Sequence, residues 1–245
     1  MSSQTHLIRT PIPYHLSKIL PKGTIVKFSL TNDLSIYLRA RTADRMIFKE
    51  VFLHEIYNKY GIEVEENDTV IDIGANVGMF SLYAAQKTKS GKVFAFEPFE
   101  ENYQMLVKQI EGNKLTNIVA NKKGLLNMEG KKDLFLSGIN TGGHSIQFEQ
   151  KAGKVTIDVT TLSKYCLENN IHTIDYLKID CEGSEFDILQ HDVSILQRVR
   201  KLVMECHPYG EETVDKMQGL LEHHGFTVIR EACNHENIEM LYARK

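Results

Sequence analysis

Between Thr69 and Thr88 a short β-branched run, Thr69–Ile73, passes through the turn Asp72-Ile73-Gly74-Ala75-Asn76-Val77-Gly78 into a helical stretch from Met79. A strand that turns this tightly into a helix feeds a crossover connection, and crossovers demand parallel strands covered by helices. The rest of the chain keeps that alternation. Lys92–Phe96 reads as strand, Phe99–Asn113 as helix, Asn117–Val119 as strand, Thr161–Asn169 as helix and Asp175–Ile179 as strand. Ser184–Leu196 then reads as helix, Lys201–Glu205 as strand and Glu211–His224 as helix. Phe226–Arg230 and Glu239–Tyr242 have no helix between them and must pair antiparallel. The segment 131–160 is strand-like and contains a glycine-rich patch, Ser137–His144. This pattern predicts an α/β fold with a mostly parallel, Rossmann-like sheet over residues 67–245.

Residues 1–66 read as an N-terminal extension. Pro11, Pro13 and Pro21 suggest an extended arm. Thr24–Leu30 and Leu34–Leu38 are β-like around the turn at Thr31–Asp33, and apolar spacing predicts a helix over Ala43–Tyr60, stopped by Gly61. Of the 245 residues, 42% are hydrophobic and the net charge is −3, so a soluble globular chain is expected, with no nucleic-acid partner. No apolar run approaches the ~18 residues of a membrane span. Four cysteines without paired spacing favour a reduced, cytoplasmic setting.

The chemistry gathers at the carboxyl ends of the strands. Gly74 and Gly78 permit a tight turn and close ligand approach, with Asn76 between them, and the following helix offers free N–H groups to an anion. Asp72 is placed to meet a cation. A ligand carrying both an ammonium and a carboxylate fits, as the methionine end of S-adenosylmethionine does. Glu97, in Phe96-Glu97-Pro98, stands about 20 residues past the turn, where a Rossmann-type site binds ribose hydroxyls. A third cluster, Lys178-Ile179-Asp180-Cys181-Glu182-Gly183-Ser184-Glu185, closes a further strand. There Ser184 reads as an N-cap with Glu185 in the first turn, and Asp180 faces the ligand. A divalent metal is a weaker reading of these carboxylates, and none is expected. His207, at the end of the Lys201–Glu205 strand, and His144, on the glycine-flanked loop, are the candidate general bases, with Asp180 as a further proton acceptor.

At VIDIGANVG (70–78), AFEP (95–98) and KIDCEGSE (178–185) the sequence resembles the FkbM family of methyltransferases, over roughly Leu38 to Pro208. The resemblance implies a seven-stranded class I methyltransferase fold. It also implies S-adenosylmethionine as cofactor and O-methylation of a sugar, polyketide or other small-molecule hydroxyl. By position it puts Gly74 and Gly78 in the cofactor turn, Glu97 at the ribose, and Asp180 near the methionine moiety or the acceptor. A nicotinamide-dependent oxidoreductase is the alternative from another class, but Asn76 stands where its second glycine should admit a pyrophosphate. A cofactor-binding module without catalysis is the other alternative.

Overall fold

Strand-forming runs assemble three sheets in the computed structural model, which describes residues 6–137, 143–147, 152–233 and 237–245. In chain order the elements are α1 (Pro11–Leu16), β1 (Ile25–Ser29), β2 (Ser35–Arg39), α2 (Asp44–Phe52), β3 (Thr69–Ile73), α3 (Met79–Lys87), β4 (Lys92–Phe96), α4 (Glu100–Asn113), β5 (Ile118–Asn121) and β6 (Gly124–Leu125). They continue with β7 (Gly130–Phe135), β8 (Lys154–Thr160), α5 (Leu162–Glu168), β9 (Ile174–Ile179), α6 (Glu185–His191), β10 (Val199–Cys206), α7 (Val214–His223), β11 (Thr227–Ala232) and β12 (Glu239–Arg244).

The main sheet has seven strands in the order β11-β12-β10-β9-β3-β4-β5. From β10 to β5 all neighbours are parallel, and β12 runs antiparallel to both β10 and β11. Because parallel strands are buried on both faces, successive residues feed opposite cores. Val70, Val93, Tyr176, Val203 and Tyr242 pack on one side with α3, α4 and the N-terminal elements. Ile71, Phe94, Leu177, Leu202 and Leu241 pack on the other with α5, α6 and α7. The described strands of the strand-like segment 131–160 do not join this sheet. Its β7 pairs antiparallel with β8, and β6 lies parallel to β8.

Three expectations are corrected. The arm is not wholly extended, since Pro11 opens the short helix α1 with its φ already suited to a first turn. The helix expected over Ala43–Tyr60 ends at Phe52. Glu55, Tyr60 and Gly61 then take positive φ, and the strap they form is tied down from the sheet. Tyr176 Oη donates to the Tyr57 carbonyl and Tyr242 Oη to that of Ile56, while Lys59 Nζ meets Glu231 at 2.6 Å. Sequence spacing registers apolar residues here but not which carbonyls the tyrosines claim. The helix expected over Ser184–Leu196 is α6 followed by a 3-10 turn, Val193–Arg198. Among the described residues no helix is long and apolar enough to cross a membrane. Gly138–Gly142, within the glycine-rich patch, lie outside the described residues.

Candidate active site

The carboxyl ends of β3, β4, β9 and β10 open into a cavity of ≈ 660 Å³, within the ordinary range for a small-molecule site. The α2 helix and the strap wall one side, and the β11–β12 hairpin closes the far end.

At the end of β3 the backbone turns at Gly74, whose φ is +74°. A Cβ there would fall 1.8 Å from the Asp180 carbonyl oxygen, so the glycine is what lets β3 and β9 close together at the cavity floor. Asn76 follows at φ +51° and donates its backbone N–H to Glu97 Oε2 at 2.8 Å. Glu97 Oε1 accepts from the Phe99 N–H at 2.9 Å. Burial pushes the Glu97 carboxyl up to about 7, against the lowering effect of those two N–H groups. Two of its roughly four acceptor positions are thus filled by the chain, leaving capacity for hydroxyl donors. Among the described residues Asn76 Oδ1 has no partner.

Two cofactor-binding expectations are corrected by packing. Gly78 is not part of the cavity wall: at φ +82° it starts α3, and a Cβ would come within 2.6 Å of Leu106 Cδ1 on α4. Its requirement for glycine is a helix-packing one. Asp72 does meet a cation, but the protein supplies it. The carboxylate is fully buried beneath the cavity, accepts from Ser81 Oγ at 2.6 Å, and stands 3.1 Å from Lys178 Nζ. Lys178 also donates to the carbonyls of Ile73 (3.3 Å) and Gly74 (2.8 Å), so it braces the turn from below. Burial works to lower its pKa, but Asp72 and Asp180 prevail and hold it raised.

The β9 and β10 end is acidic. Asp180 Oδ2 accepts from Tyr57 Oη at 2.8 Å and lies 3.8 Å from Lys178 Nζ. The capping expectation fails for Ser184, which lines the cavity and whose buried Oγ has no partner among the described residues. Glu185 does the work in reverse: its Oε1 accepts from the Cys181 and Gly183 N–H groups at 3.1 and 3.3 Å. The same oxygen lies 3.1 Å from His207 Nδ1. On the other ring edge, His207 Nε2 faces Glu182 Oε2 at 3.7 Å and Glu205 Oε1 at 3.8 Å. Burial pushes Glu182 up to about 7 and Glu205 up to about 8, with neighbouring carboxylates adding to the rise.

Both histidine expectations change in this setting. Burial alone would discharge His207, but Glu185, Asp180 and Glu182 outweigh it and raise its pKa to about 10. The ring is therefore an imidazolium at neutral pH and has no lone pair to accept a proton. Its ring nitrogens should keep the ¹⁵N shifts of an imidazolium from pH ~5 to ~8, where an ordinary histidine titrates, moving only slightly as Glu182 and Glu205 ionise beside them. The ¹⁵N shifts of a neutral ring at pH ~7 would refute that charge state. His144 is held neutral by burial, and the Ser137 N–H donates to its Nδ1 at 3.0 Å. The proton then sits on Nε2, which has no partner among the described residues. His144 thus presents a donor to the cavity, not a base.

Sequence reasoning passed over Lys178, Tyr57 and Glu50, and did not single out Glu182, Glu185 or Glu205 as site residues; of these, Glu185 alone is absent from the cavity wall. One signal was available: Glu205 and His207 are two apart at a strand end and so project to the same face. Among the described residues no group of three or more His, Cys, Asp or Glu is arranged to hold a metal ion.

Residues 72–228 match the methyltransferase FkbM domain family. Methyltransferase 1 of Beauveria bassiana is 26% identical over 228 residues, covering 83% of this chain and 90% of that protein. The 31-O-demethyl-FK506 methyltransferase FkbM of Streptomyces tacrolimicus is 27% identical over 218 residues, covering 76% of this chain and 83% of its own length. The crystal structure of a methyltransferase FkbM from Methylobacillus flagellatus superposes with a TM-score of 0.54 at 16% identity, a likeness of fold. That match covers 82% of this chain, which spans about half the solved chain (52%).

Proposed function

The chain belongs to the FkbM methyltransferase family, and from that premise we propose that it uses S-adenosylmethionine to methylate a hydroxyl oxygen of a small molecule. The observation that carries this reading is the pairing of Glu97 with the Gly74–Asn76 turn on one cavity wall. The residues present fit the cofactor. The turn puts Gly74, Ala75 and Asn76 on the cavity wall, Glu97 keeps acceptor capacity for ribose hydroxyls, and among the described residues Asn76 Oδ1 and His144 Nε2 have no partner. Bound there, S-adenosylmethionine supplies an electrophilic methyl on its sulfonium.

The chain's own part is to hold the acceptor in line and take its proton. Well-oriented reactants gain on the order of 7–11 kcal/mol from positioning alone. The proton goes to Glu182. Asp180 is already engaged by Tyr57 and stands near Lys178, and His207 is charged, whereas Glu182 faces the cavity with a pKa pushed up to about 7. A base poised near the working pH is the efficient one. His207, fixed by Glu185, keeps a positive charge beside that carboxylate.

Calorimetry with S-adenosylhomocysteine tests the cofactor assignment. Glu97→Ala should weaken binding by ~1–3 kcal/mol, the cost of losing hydrogen bonds to a charged group. Unchanged affinity would remove Glu97 from the site. Mass spectrometry of extracts incubated with the protein and methyl-labelled S-adenosylmethionine then identifies the acceptor, and label on nitrogen or carbon instead of oxygen would overturn the hydroxyl assignment.

A further inference from the structure

Tyr14 and Ser17 fix α1 to the body of the protein. The Tyr14 ring packs against Phe28 of β1 and Phe48 of α2, and Ser17 is buried. Arg45, near the start of α2, donates to the Tyr14 carbonyl at 2.6 Å, and its guanidinium lies over the Tyr14 ring at 3.7 Å. Helical winding continues past α1, since the Ser17 N–H donates to the Pro13 carbonyl and the Leu20 N–H to that of Leu16. At about 100° per residue, Ile12, Leu16 and Ile19 fall within an arc of about 60°, on the side away from Tyr14 and Ser17. All three are exposed, by 71%, 42% and 76%. A single exposed aliphatic residue needs no explanation, but three in one stripe on a firmly held element form a patch that calls for a partner.

The charge around the stripe has one sign. The whole chain carries a net charge of −3, yet residues 1–32 contain Arg9, Lys18, Lys22 and Lys27 and no Asp or Glu. Arg9 is paired with Asp33, and Lys27 sits over the Tyr37 ring. Lys18 and Lys22, on either side of Ile19 in the chain, are exposed and make no ion pair among the described residues. Aliphatic side chains bordered by lysines complement an anionic bilayer, where the side chains enter the acyl boundary and the ammonium groups stay among the headgroups. Hydrocarbon receives such side chains without a matching pocket, whereas protein partners anchor on Trp, Tyr and Arg, which the stripe lacks. A second copy docked about a two-fold axis would set its own Lys18 and Lys22 against these. We infer that Ile12, Leu16 and Ile19, with Lys18 and Lys22, form a docking site for the surface of an anionic phospholipid membrane. The protein lies on that surface and does not cross it. None of these five residues lines the cavity, so the docking site does not depend on what is transferred there.

Flotation of the full chain with lipid vesicles tests the assignment. Vesicles of equal parts phosphatidylcholine and phosphatidylserine should take up the protein about tenfold or more over phosphatidylcholine alone at low salt, since each lysine near an anionic leaflet is worth roughly fivefold. That preference should shrink toward unity in ~1 M salt, where the screening length is ~3 Å. Ile12→Ser with Ile19→Ser should lower uptake about tenfold or more and leave the thermal midpoint in place, because both side chains are already exposed in the unbound protein. Lys18→Glu with Lys22→Glu should remove the preference for phosphatidylserine. Soluble glycerophosphoserine should not compete, because a headgroup alone gives the stripe nothing to enter. Equal uptake by the two kinds of vesicle overturns the proposal, and so does competition by glycerophosphoserine. Uptake that survives the paired serine substitutions, or a preference that survives the paired glutamates, overturns it as well. If the unaltered chain floats with neither vesicle, the membrane is excluded and an acidic protein surface takes its place as the partner of the stripe.

Discussion

Lys178→Met should destabilise the fold by about 3–5 kcal/mol, the cost of leaving a buried carboxylate without its partner. Lys178 on β9 and Asp72 on β3 are register neighbours in parallel strands, so their side chains leave the sheet on the same face. They meet at 3.1 Å with side-chain exposures of 4% and 0%. Methionine fills most of the lysine's volume but offers no charge, and among the described residues Asp72 would keep only the Ser81 hydroxyl. The bonds to the Ile73 and Gly74 carbonyls would go as well, loosening the turn that lines the cavity. Chemical denaturation measures the loss. The double variant Asp72→Leu with Lys178→Met should recover much of it, since apolar replacement of a whole buried pair is often close to neutral. A single-variant loss below ~1 kcal/mol, the scale of an exposed pair, would mean that the ion pair is solvated.

That pair also shows where reading the sequence stops. The glycine turn, Glu97 and the KIDCEGSE stretch were legible because each is local: a strand, a tight turn and a helix follow one another in the chain, and the ligand edge is always the carboxyl edge. Lys178 was in plain view in the third motif, yet its partnership with Asp72 depends on the β3–β9 register, and a one-residue slip would have turned it to the other face. The same holds for the glycines. Gly74 and Gly78 look equivalent in sequence, but one packs against Asp180 just past β9 on the cavity floor and the other against Leu106 of α4, away from the cavity. His207 was found by position and misjudged in charge, because its protonation is set by Glu185, Asp180 and Glu182, which reach it from the β9–α6 turn and the start of α6. The strap after α2 was read as helix since its apolar spacing is real. The tyrosines that hold its carbonyls come from β9 and β12.

Glu182→Gln should lower kcat by ~10²–10⁴-fold with the acceptor found by methyl labelling, the range that a positioned general base contributes. Glutamine keeps the shape and hydrogen-bonding reach but accepts no proton at catalytic cost, so S-adenosylhomocysteine affinity should change little and the loss should fall on kcat. The pH profile carries the sign. Glu182 is raised to about 7 by burial, and its base form exists only above its pKa, so activity rises as pH climbs through that region. In the complex this limb should lie at or below about 7, because a bound sulfonium favours the ionised carboxylate. His207 is raised to about 10 and supplies its positive charge only below that value, so activity should fall again as pH climbs toward it. Removing the positive charge in His207→Gln should abolish the alkaline limb and leave the acid one. Glu182→Gln should abolish the acid limb and leave the alkaline one, on a residual rate that positioning alone sustains. If Glu182→Gln keeps the full rate while Asp180→Asn loses it, the proton goes to Asp180. Glu182 would then be one more carboxylate of the cavity wall, kept protonated in part by its crowded neighbours.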